Sequence, residues 1–204
     1  WSSDVCSSDL FTGIVEQQAK IVDIKNIGNN LDITLSCEIT SELKIDQSVS
    51  HNGICLTVVN INNNLYTVTA IEETMNKTTI SGWEIGDIIN LERAMKIGDR
   101  LDGHMIQGHI DQIGKCIDVK EKNGSWEFII EYQKSNNITV EKGSIAVNGV
   151  SLTVVDSKPN QFKVAIIPYT FEHTSFKNLK KEGNVNLEFD ILGKYLAKMA
   201  LNYK

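Results

Sequence analysis

The sequence predicts an all-β protein in which two similar small barrels follow each other and one α-helix ends the chain. Three patterns carry this prediction: an internal repeat of about 95 residues, a two-residue alternation of apolar and polar side chains within each copy, and a 3.6-residue apolar period near the C-terminus. The length of 204 residues accommodates two small domains, and 41% apolar with 23% charged residues is a globular composition.

The repeat consists of three blocks that occur twice in the same order. The matching blocks are 13–24 with 108–119, 48–59 with 144–155, and 89–92 with 185–188. The separation between copies changes by only one position from the first block to the second, from 95 (108 − 13) to 96 (144 − 48). Two copies are too few for a solenoid, so the repeat predicts two homologous domains.

Four segments of the chain follow from these blocks. Residues 1–10 are rich in Ser and Asp, show no period and lack the basic start and apolar core of a signal peptide, so we interpret them as a non-native extension. Residues 11–104 form the first predicted barrel and residues 105–190 the second. Residues 191–204 form the predicted C-terminal helix.

Strands and turns are indicated within each copy. Leu31–Cys37 and Leu65–Ile71 alternate between apolar and polar residues as half-buried strands do. Asn52-Gly53 and Asn148-Gly149 each separate two such runs, and Asn-Gly favours a tight hairpin because both residues accept positive φ. Turn residues also occur at 62–64 and 158–160. Several short strands without a long helical pattern predict a small closed barrel.

The last segment has a different period. Its apolar residues at 191, 192, 195, 196, 199 and 200 lie on one side of a helix. Such a stripe is expected to be buried, either on the protein's own barrels or against another subunit.

Composition excludes several classes of partner and site. The formal charge of −6, without a long basic run, argues against nucleic acid and anionic membranes as partners. No stretch of 18 apolar residues is present, so no membrane span is expected. The four cysteines, Cys6, Cys37, Cys55 and Cys116, form no C-x-x-C motif and are interpreted as free thiols of a reducing compartment, the cytoplasm.

The strand after each Asn-Gly places small polar side chains on its outer face. In the first copy Cys55 and Thr57 alternate with inward-facing aliphatic residues, and in the second copy Ser151 and Thr153 occupy the same positions. Solvent-facing Ser and Thr are ordinary in strands, and for one copy this is the favoured explanation. Their occurrence at equivalent positions in both copies favours a lined pocket instead.

Other candidate groups give weaker indications. His104 and His109 are five positions apart, which on one straight strand would place them on opposite faces and prevent them from binding one metal ion. Alternatively, His104 is a turn residue beside Gly103. Glu72 and Glu73 are assigned to adjacent strand positions, and so to a charged surface rather than a catalytic pair. The sequence has no H-E-x-x-H motif, phosphate-binding Gly-rich loop or G-x-S-x-G elbow, so no metal site and no hydrolase or dinucleotide fold is predicted.

Four segments together resemble the riboflavin synthase alpha-chain family of lumazine-binding repeats. They are Phe11–Glu16, His51–Val58, Gly103–Asp111 and Asn148–Val154, and the likeness extends in order from Phe11 to about Met199. The resemblance implies two six-stranded Greek-key barrels in tandem and a C-terminal helix that joins three subunits.

The family resemblance also implies an activity, a transfer of a four-carbon unit between two molecules of 6,7-dimethyl-8-ribityllumazine. The products are riboflavin and 5-amino-6-ribitylaminouracil, and no metal or redox cofactor takes part. One lumazine loses a proton from its 7-methyl group, and the other accepts a side-chain nucleophile or water at C7. The implied assembly is a homotrimer, with the reacting pair between barrels of neighbouring subunits. A lumazine synthase shell encloses the trimer in some relatives, but no residue here argues for one.

Site residues follow from the same resemblance, position by position. The implied catalytic residues are Ser48, Cys55, His109, Ser151, Thr153 and Asp190. The implied substrate-binding residues are Phe11, Thr12, Gly13, Ile14, Val15, Cys55, Leu56, Thr57, Thr69, Ala70, Ile71, Glu72, Glu73, Thr74, Gly108, His109, Ile110, Lys142, Ser151, Leu152, Thr153, Ile167, Pro168, Tyr169, Thr170, Phe171 and Glu172. A thiolate at Cys55 is a hypothesis, because an apolar pocket favours the protonated thiol.

Two departures from the family pattern and two alternative functions accompany this prediction. Ten residues precede Phe11, and Asp102 stands where a glycine is usual, which predicts a strained or altered turn. Lumazine proteins share the two-barrel design, bind a lumazine or flavin and catalyse nothing. A flavin reductase barrel is a more distant alternative, but no nicotinamide-binding half follows. The polar residues Lys142, Ser151 and Thr153 of the second copy favour the synthase.

Overall fold

A computed structural model describes residues 9–134 and 137–202, in which the strands form two closed antiparallel barrels. The first barrel contains β1 Gln17–Ile27, β2 Asn30–Ser36, β3 Ser48–His51, β4 Ile54–Asn62, β5 Leu65–Ala70 and β6 Ile88–Arg93. The second contains β7 Gln112–Glu121, β8 Trp126–Glu131, β9 Ser144–Val147, β10 Val150–Lys158, β11 Gln161–Ile166 and β12 Asn184–Phe189. The predicted all-β class with six strands in each barrel is confirmed.

Both barrels have the same topology. The neighbours around the first barrel run β1-β2-β5-β4-β3-β6, and the second barrel repeats this order with β7 to β12. Three successive hairpin-connected strands, β3, β4 and β5, are followed by β6, which returns to pair with β3 and completes a Greek key. Closure leaves neither barrel with a free strand edge.

The Asn-Gly hairpins form as predicted. Asn52 and Gly53 have φ of 46° and 83°, and Asn148 and Gly149 have φ of 48° and 75°. Positive φ at both central residues is the condition for a two-residue turn whose twist matches the flanking strands. The strand that leaves each turn therefore begins in the same register in both copies, with Val49 opposite Leu56 and Ile145 opposite Leu152.

The predicted faces of these strands are also confirmed. Ile54, Leu56 and Val58 lie in the core of the first barrel, whereas Cys55 and Thr57 on the other face are half-buried. Val150 and Val154 lie in the second core, Leu152 packs against it, and Ser151 and Thr153 face outwards. The polar pairs are thus on the outer walls, outside the packed interiors.

Two short helices were not predicted. α1 (Glu72–Lys77) and α2 (Pro168–His173) each follow the fifth strand of a barrel, and each leads into a single 3-10 turn, 79–82 or 175–178. The assignment of Glu72 and Glu73 to a strand is therefore wrong, because both lie in the first turn of α1. Helices of six residues give too few periodic positions to be recognised in a sequence.

The C-terminal helix is present, but its apolar side is uncovered within one chain. α3 (Ile191–Asn202) begins after Asp190, whose Oδ1 accepts a 2.9 Å hydrogen bond from the Leu192 backbone N–H. Tyr195 and Leu196 are 64% and 67% exposed. The expectation that the stripe packs on the protein's own barrels does not hold, which leaves an intersubunit contact as its predicted partner. No helix in the described part of the chain has the length and apolar character to cross a membrane.

The barrels contact each other through duplicated interactions. Phe11 and Ile106, at the entrance to each copy, form an antiparallel bridge. The Asn90 side chain of the first barrel donates to the Asn148 carbonyl oxygen of the second (2.9 Å). In the equivalent contact, the Asn186 side chain of the second barrel donates to the Asn52 carbonyl oxygen of the first (2.9 Å). The two domains are therefore related by an approximate two-fold symmetry. The proposed extension at 1–10 lies largely outside the described residues, as does Cys6.

Candidate active site

The two outer walls that the sequence singles out have the same construction. In the first barrel, Ser48 lies opposite Thr57 and Ser50 lies opposite Cys55 on the paired strands β3 and β4. Directly opposite residues of an antiparallel pair project to the same side, so all four share the outer face. Ser144, Thr153, Ala146 and Ser151 take the same places in the second barrel. We call these the first wall (Ser48, Ser50, Cys55, Thr57) and the second wall (Ser144, Ala146, Ser151, Thr153).

Each wall is covered by the segment that opens the other repeat. Ser151 of the second wall donates its backbone N–H to the carbonyl oxygen of Gly13 (2.9 Å), and Cys55 of the first wall donates to Gly108 (2.9 Å). Val15, close to Gly13, packs against the core of the second barrel, and Ile110, close to Gly108, packs against the first. Both copies thus contribute residues to both candidate sites, which the sequence did not predict.

The covering segments approach so closely that only glycine fits. A Cβ at Gly13 would lie 2.6 Å from the Ser151 Cβ, and one at Gly108 would lie 2.5 Å from the Cys55 Cβ. Both glycines have positive φ, 80° and 77°. This contact explains why the same Gly begins the matching block in each repeat, where the backbone rather than a side chain meets the wall.

A buried carboxylate holds each covering segment in place. Glu92, at the end of the first barrel, accepts hydrogen bonds from the Thr12 N–H (2.6 Å), the Thr12 hydroxyl (2.7 Å) and the Gly13 N–H (2.9 Å). Glu188, its counterpart in the second barrel, accepts three from the backbone N–H groups of Gln107, Gly108 and His109, at 2.7–3.0 Å. Both glutamates are buried. Neither was predicted as a site residue, although each ends a matching block of the repeat.

Burial dominates the electrostatics of these glutamates. Desolvation raises the pKa of Glu92 above its usual value, against the opposing effect of the hydrogen bonds from Thr12 and Gly13. Desolvation likewise raises the pKa of Glu188 to about 7, against the N–H groups of Gln107 and Gly108 and the charge of Lys194. Lys194 of α3 forms a 3.0 Å ion pair with Asp111, which links the C-terminal helix to the segment that covers the first wall.

Around the first wall, the predicted residues divide into inward and outward groups. Leu56 and Ala70 are 4% and 0% exposed and belong to the barrel core, so their side chains face away from the wall. Thr69 faces outwards and donates to Asp32 (2.6 Å). Ile71 is exposed at the start of α1, where Glu73 pairs with Lys77 at 2.6 Å. Glu72 and Thr74 lie in α1, the His109 backbone N–H donates to Glu188, and Ile110 packs against the first core.

The predicted residues around the second wall include aromatic and charged groups. The Phe171 ring stacks on Trp126 with a centroid distance of 3.8 Å and an interplanar angle of 4°. Tyr169 and Ile167 are 70% and 61% exposed, and Glu172 pairs with Lys177. Phe11 packs with Ala146 of the second wall, and Leu152 packs against the second core. Thr12 and Ile14 line a cleft beside Glu92 of the first barrel. Lys142, Pro168 and Thr170 are the other residues that the sequence assigns to the second copy.

His104 and Asp190 also lie near the second wall. The His104 Nδ1 atom is 2.7 Å from the Ser151 Oγ atom, and His104 is buried. His104 and His109 both lie in the segment between β6 and β7, so they share no strand, and His104 follows Gly103 outside regular secondary structure. Asp190, predicted as catalytic, is the residue whose carboxylate caps α3. The contact between His104 and Ser151 joins residues 47 positions apart and has no sequence signal.

Comparison with known proteins identifies the family. A model of the lumazine-binding domain matches the chain twice, at residues 12–94 and 107–190. The riboflavin synthase of Actinobacillus pleuropneumoniae is 36% identical over 194 residues, which cover 94% of this chain and 90% of that protein. The riboflavin synthase of Bacillus subtilis is 34% identical over 189 residues, 92% of this chain and 88% of that protein.

The chain belongs to the riboflavin synthase family. It is accordingly an enzyme, and the resemblance inferred from its motifs is confirmed. Among solved structures, LumP complexed with 6,7-dimethyl-8-(1'-D-ribityl) lumazine matches with a TM-score of 0.80 and 23% identity, over 87% of this chain and 98% of LumP. LumP complexed with riboflavin matches with a TM-score of 0.81. At this identity the LumP structures support the two-barrel fold.

In this riboflavin synthase family member, the side chains at and beside the two walls carry hydroxyl, thiol and imidazole groups. Within residues 9–134 and 137–202, no group of three or more His, Cys, Asp or Glu side chains could hold a metal ion. A cleft of ≈ 870 Å³ extends from Thr12 and Ile14 past Glu92 and Arg100. A second cleft of ≈ 760 Å³, lined by Asn52, Trp83 and other residues, contains no predicted catalytic residue.

Proposed function

We propose that this chain is a riboflavin synthase that converts two molecules of 6,7-dimethyl-8-ribityllumazine into riboflavin and 5-amino-6-ribitylaminouracil. One lumazine loses a proton from its 7-methyl group. A nucleophile or water adds at C7 of the other lumazine, and the carbanion then bonds to the neighbouring imine carbon C6, whose C=N π electrons pass to N5 with a proton. The group added at C7 leaves in a later step. A four-carbon unit is then transferred, so one ring gains the carbons that the other loses. The reaction needs two copies of one substrate held face to face.

The observation that carries this proposal is the duplicated wall. Each wall has the same strand pairing, the same glycine contact and the same glutamate beneath its covering segment. Two equivalent cradles bind two identical substrates in related orientations, and holding both reactants replaces a diffusional encounter by a positioned step. The relatives named riboflavin synthase, 36% and 34% identical, support the same activity.

The proposed roles follow the two walls. At the first wall, Ser48, Cys55 and His109 orient one lumazine and stabilise charge that develops on its ring. At the second wall, Ser151, Thr153 and Lys142 do the same for the other, with Asp190 near its edge. The exposed Ile71, Ile167 and Tyr169 supply apolar contacts for the rings.

We further propose that three chains assemble through α3, so that a first wall of one subunit faces a second wall of its neighbour. The uncovered apolar side of α3, with Leu196 67% exposed, supports this contact. Among the described residues, Cys37, Cys55 and Cys116 form no disulfide, which supports a reducing, cytoplasmic location. Association with a lumazine synthase shell has no support among the described residues.

The direct test is to mix the purified protein with 6,7-dimethyl-8-ribityllumazine and follow riboflavin absorbance. We expect one riboflavin for every two lumazines consumed. Cys55→Ser and Ser48→Ala are expected to lower kcat about a hundredfold. Cys37→Ser and Ser157→Ala, which remove a thiol and a hydroxyl outside the walls, are the matched controls. Stoichiometric lumazine fluorescence without turnover would instead identify a binding protein, and full turnover by both wall variants would remove Cys55 and Ser48 from the mechanism.

The assembly is tested separately by sedimentation. Leu196→Glu places a charge on the apolar side of α3 and is expected to convert the trimer into monomers and to abolish turnover, because the facing walls separate. Lys198→Glu on the same helix is the control and should leave the trimer intact. An active monomer would contradict the intersubunit site.

A further inference from the structure

The linker between the barrels places an imidazole against the second wall. The His104 Nδ1 atom lies 2.7 Å from the Ser151 Oγ atom. The His104 backbone N–H donates to the Thr12 carbonyl oxygen (3.1 Å), which fixes the residue to the covering segment. A Cβ at the preceding Gly103 would lie 2.0 Å from the same Thr12 oxygen, so the linker approaches too closely for any other residue there.

The imidazole is buried and only partly satisfied. His104 is 8% exposed, and its Nε2 atom is the buried side-chain nitrogen or oxygen, among the described residues, that has no hydrogen-bond partner. A buried polar atom without a partner is costly, so a histidine kept here needs a compensating role. The contact with Ser151 is the one hydrogen bond that its ring makes in the described chain.

The neutral form of the His104 ring is the one that suits a hydrogen bond with the Ser151 hydroxyl. Burial lowers the pKa of His104 below its usual value, and the nearby Asp190 carboxylate opposes that shift without reversing it. A neutral imidazole at neutral pH exchanges one short hydrogen bond with a hydroxyl.

We propose that His104 is a positioning residue of the second wall, which holds the Ser151 hydroxyl in one orientation toward the ring bound there. The position equivalent to His104 in the first repeat is Asp9 (104 − 95), so a histidine at this position is a feature of the second wall and not of the first. The activity part of this inference rests on the proposed synthase function. The hydrogen bond between His104 and Ser151 is independent of that proposed function.

Two amide substitutions distinguish positioning from packing. In His104→Asn the new side-chain amide would lie near the position of Nδ1, whereas in His104→Gln it would reach toward Nε2. Loss of one positioned hydrogen bond corresponds to about a tenfold effect. We therefore expect His104→Gln to lower kcat about tenfold with unchanged riboflavin affinity, and His104→Asn to stay within about threefold of the wild-type kcat.

A double-mutant cycle with Ser151→Ala shows whether His104 acts through Ser151. If it does, His104→Gln has no further effect on kcat in the Ser151→Ala background. Equal losses for the Asn and Gln variants, or a His104→Gln effect that persists in that background, would overturn the inference.

A spectroscopic readout separates this inference from the proposed function. In ¹⁵N-labelled protein, Ser151→Ala is expected to shift the Nδ1 resonance of His104 more than its Nε2 resonance. An unchanged Nδ1 resonance refutes the contact even when turnover is normal and even if the His104 variants fail to fold. Failure of the synthase function appears differently, as a wild-type protein that binds lumazine and forms no riboflavin.

Discussion

The first barrel buries His51 and Tyr66 where the second barrel buries Val147 and Phe162. His51 Nδ1 donates to the Val49 carbonyl oxygen (2.9 Å), so its Nε2 atom accepts from the Tyr66 hydroxyl (2.9 Å). The second barrel needs neither bond, because both of its side chains are apolar and almost wholly buried. The same barrel backbone thus accommodates at these two core positions either a hydrogen-bonded polar pair or an apolar pair.

Outside the barrels, the difference runs through the candidate site. The first wall has a thiol at Cys55 and the second has a hydroxyl at Ser151 with His104 beside it. What both barrels retain is the backbone arrangement: the Asn-Gly hairpin, the glycine contact and the buried glutamate. The repeat therefore preserves the backbone of both walls, while the side chains at equivalent wall positions differ.

The largest expected effect comes from the two glutamates. In the wild type, both carboxylate oxygens of each glutamate accept hydrogen bonds from backbone N–H groups. Glu92→Gln or Glu188→Gln replaces one of these oxygens by an NH₂ group, which cannot accept, so one backbone N–H loses its partner. We expect each change to lower the free energy of unfolding by about 3 kcal/mol. Urea unfolding measures this loss, and the exposed Glu121→Gln serves as the control. Losses that differ by more than about 2 kcal/mol would show that the barrels are not equivalent at this point.

Ligand binding sharpens the same comparison. Because Glu188 holds the segment over the first wall and Glu92 the segment over the second, each variant should weaken lumazine binding at the wall of the other barrel. A spectroscopic label at Cys55 would report lumazine binding at the first wall, and a separate label at Ser151 would report binding at the second. Weakening at the variant's own wall would contradict the crossed arrangement.

A second effect, of similar size at acid pH, depends on the protonation of His51. Burial lowers the pKa of His51 to about 4, so between pH 6.5 and 4 the unfolded chain binds a proton that the folded chain does not. Stability from this group is present above pH 6.5 and falls by up to about 3 kcal/mol as the pH drops through this window. The double variant His51→Val with Tyr66→Phe, which copies the second barrel, should remove that part of the acid sensitivity.

Two other titrating groups do not affect the comparison between the wild type and the double variant. Glu92 and Glu188, with raised pKa values, contribute stability that is lost as the pH rises, but they are common to both proteins and cancel in the difference. At pH 7 the double variant should cost about 1 kcal/mol, whereas His51→Val alone, which strands the Tyr66 hydroxyl, should cost about 2 kcal/mol. A double variant with the wild-type acid slope would contradict the assignment to His51.

The smallest expected effect concerns an aromatic pair that only the second barrel has. Trp126 stacks on Phe171, whereas Leu31 and Met75 occupy the equivalent positions in the first barrel. A cycle of Trp126→Leu, Phe171→Met and the double variant should give a coupling energy of about 1 kcal/mol in thermal unfolding. Additive effects would show that the stack contributes only through burial.

Much of the fold follows from local patterns. Alternation along Leu31–Cys37 and the Asn52-Gly53 turn are short-range signals, and the repeat applies each conclusion to the second copy without further information. The helices α1 and α2 were missed because six residues are too few for a recognisable period. The outward face of Cys55 and Ser151 was predicted correctly, since side chains alternate strictly along a strand.

Local sequence patterns were therefore enough to predict the two barrels, their turns, the C-terminal helix and the walls that carry the polar pairs. The folded chain was needed to show that Gly13 covers the second wall, that Gly108 covers the first, and that His104 contacts Ser151. These contacts join residues 47 to 138 positions apart (151 − 104 and 151 − 13), and no local period or turn encodes them. They arise from the packing of one closed barrel against the other.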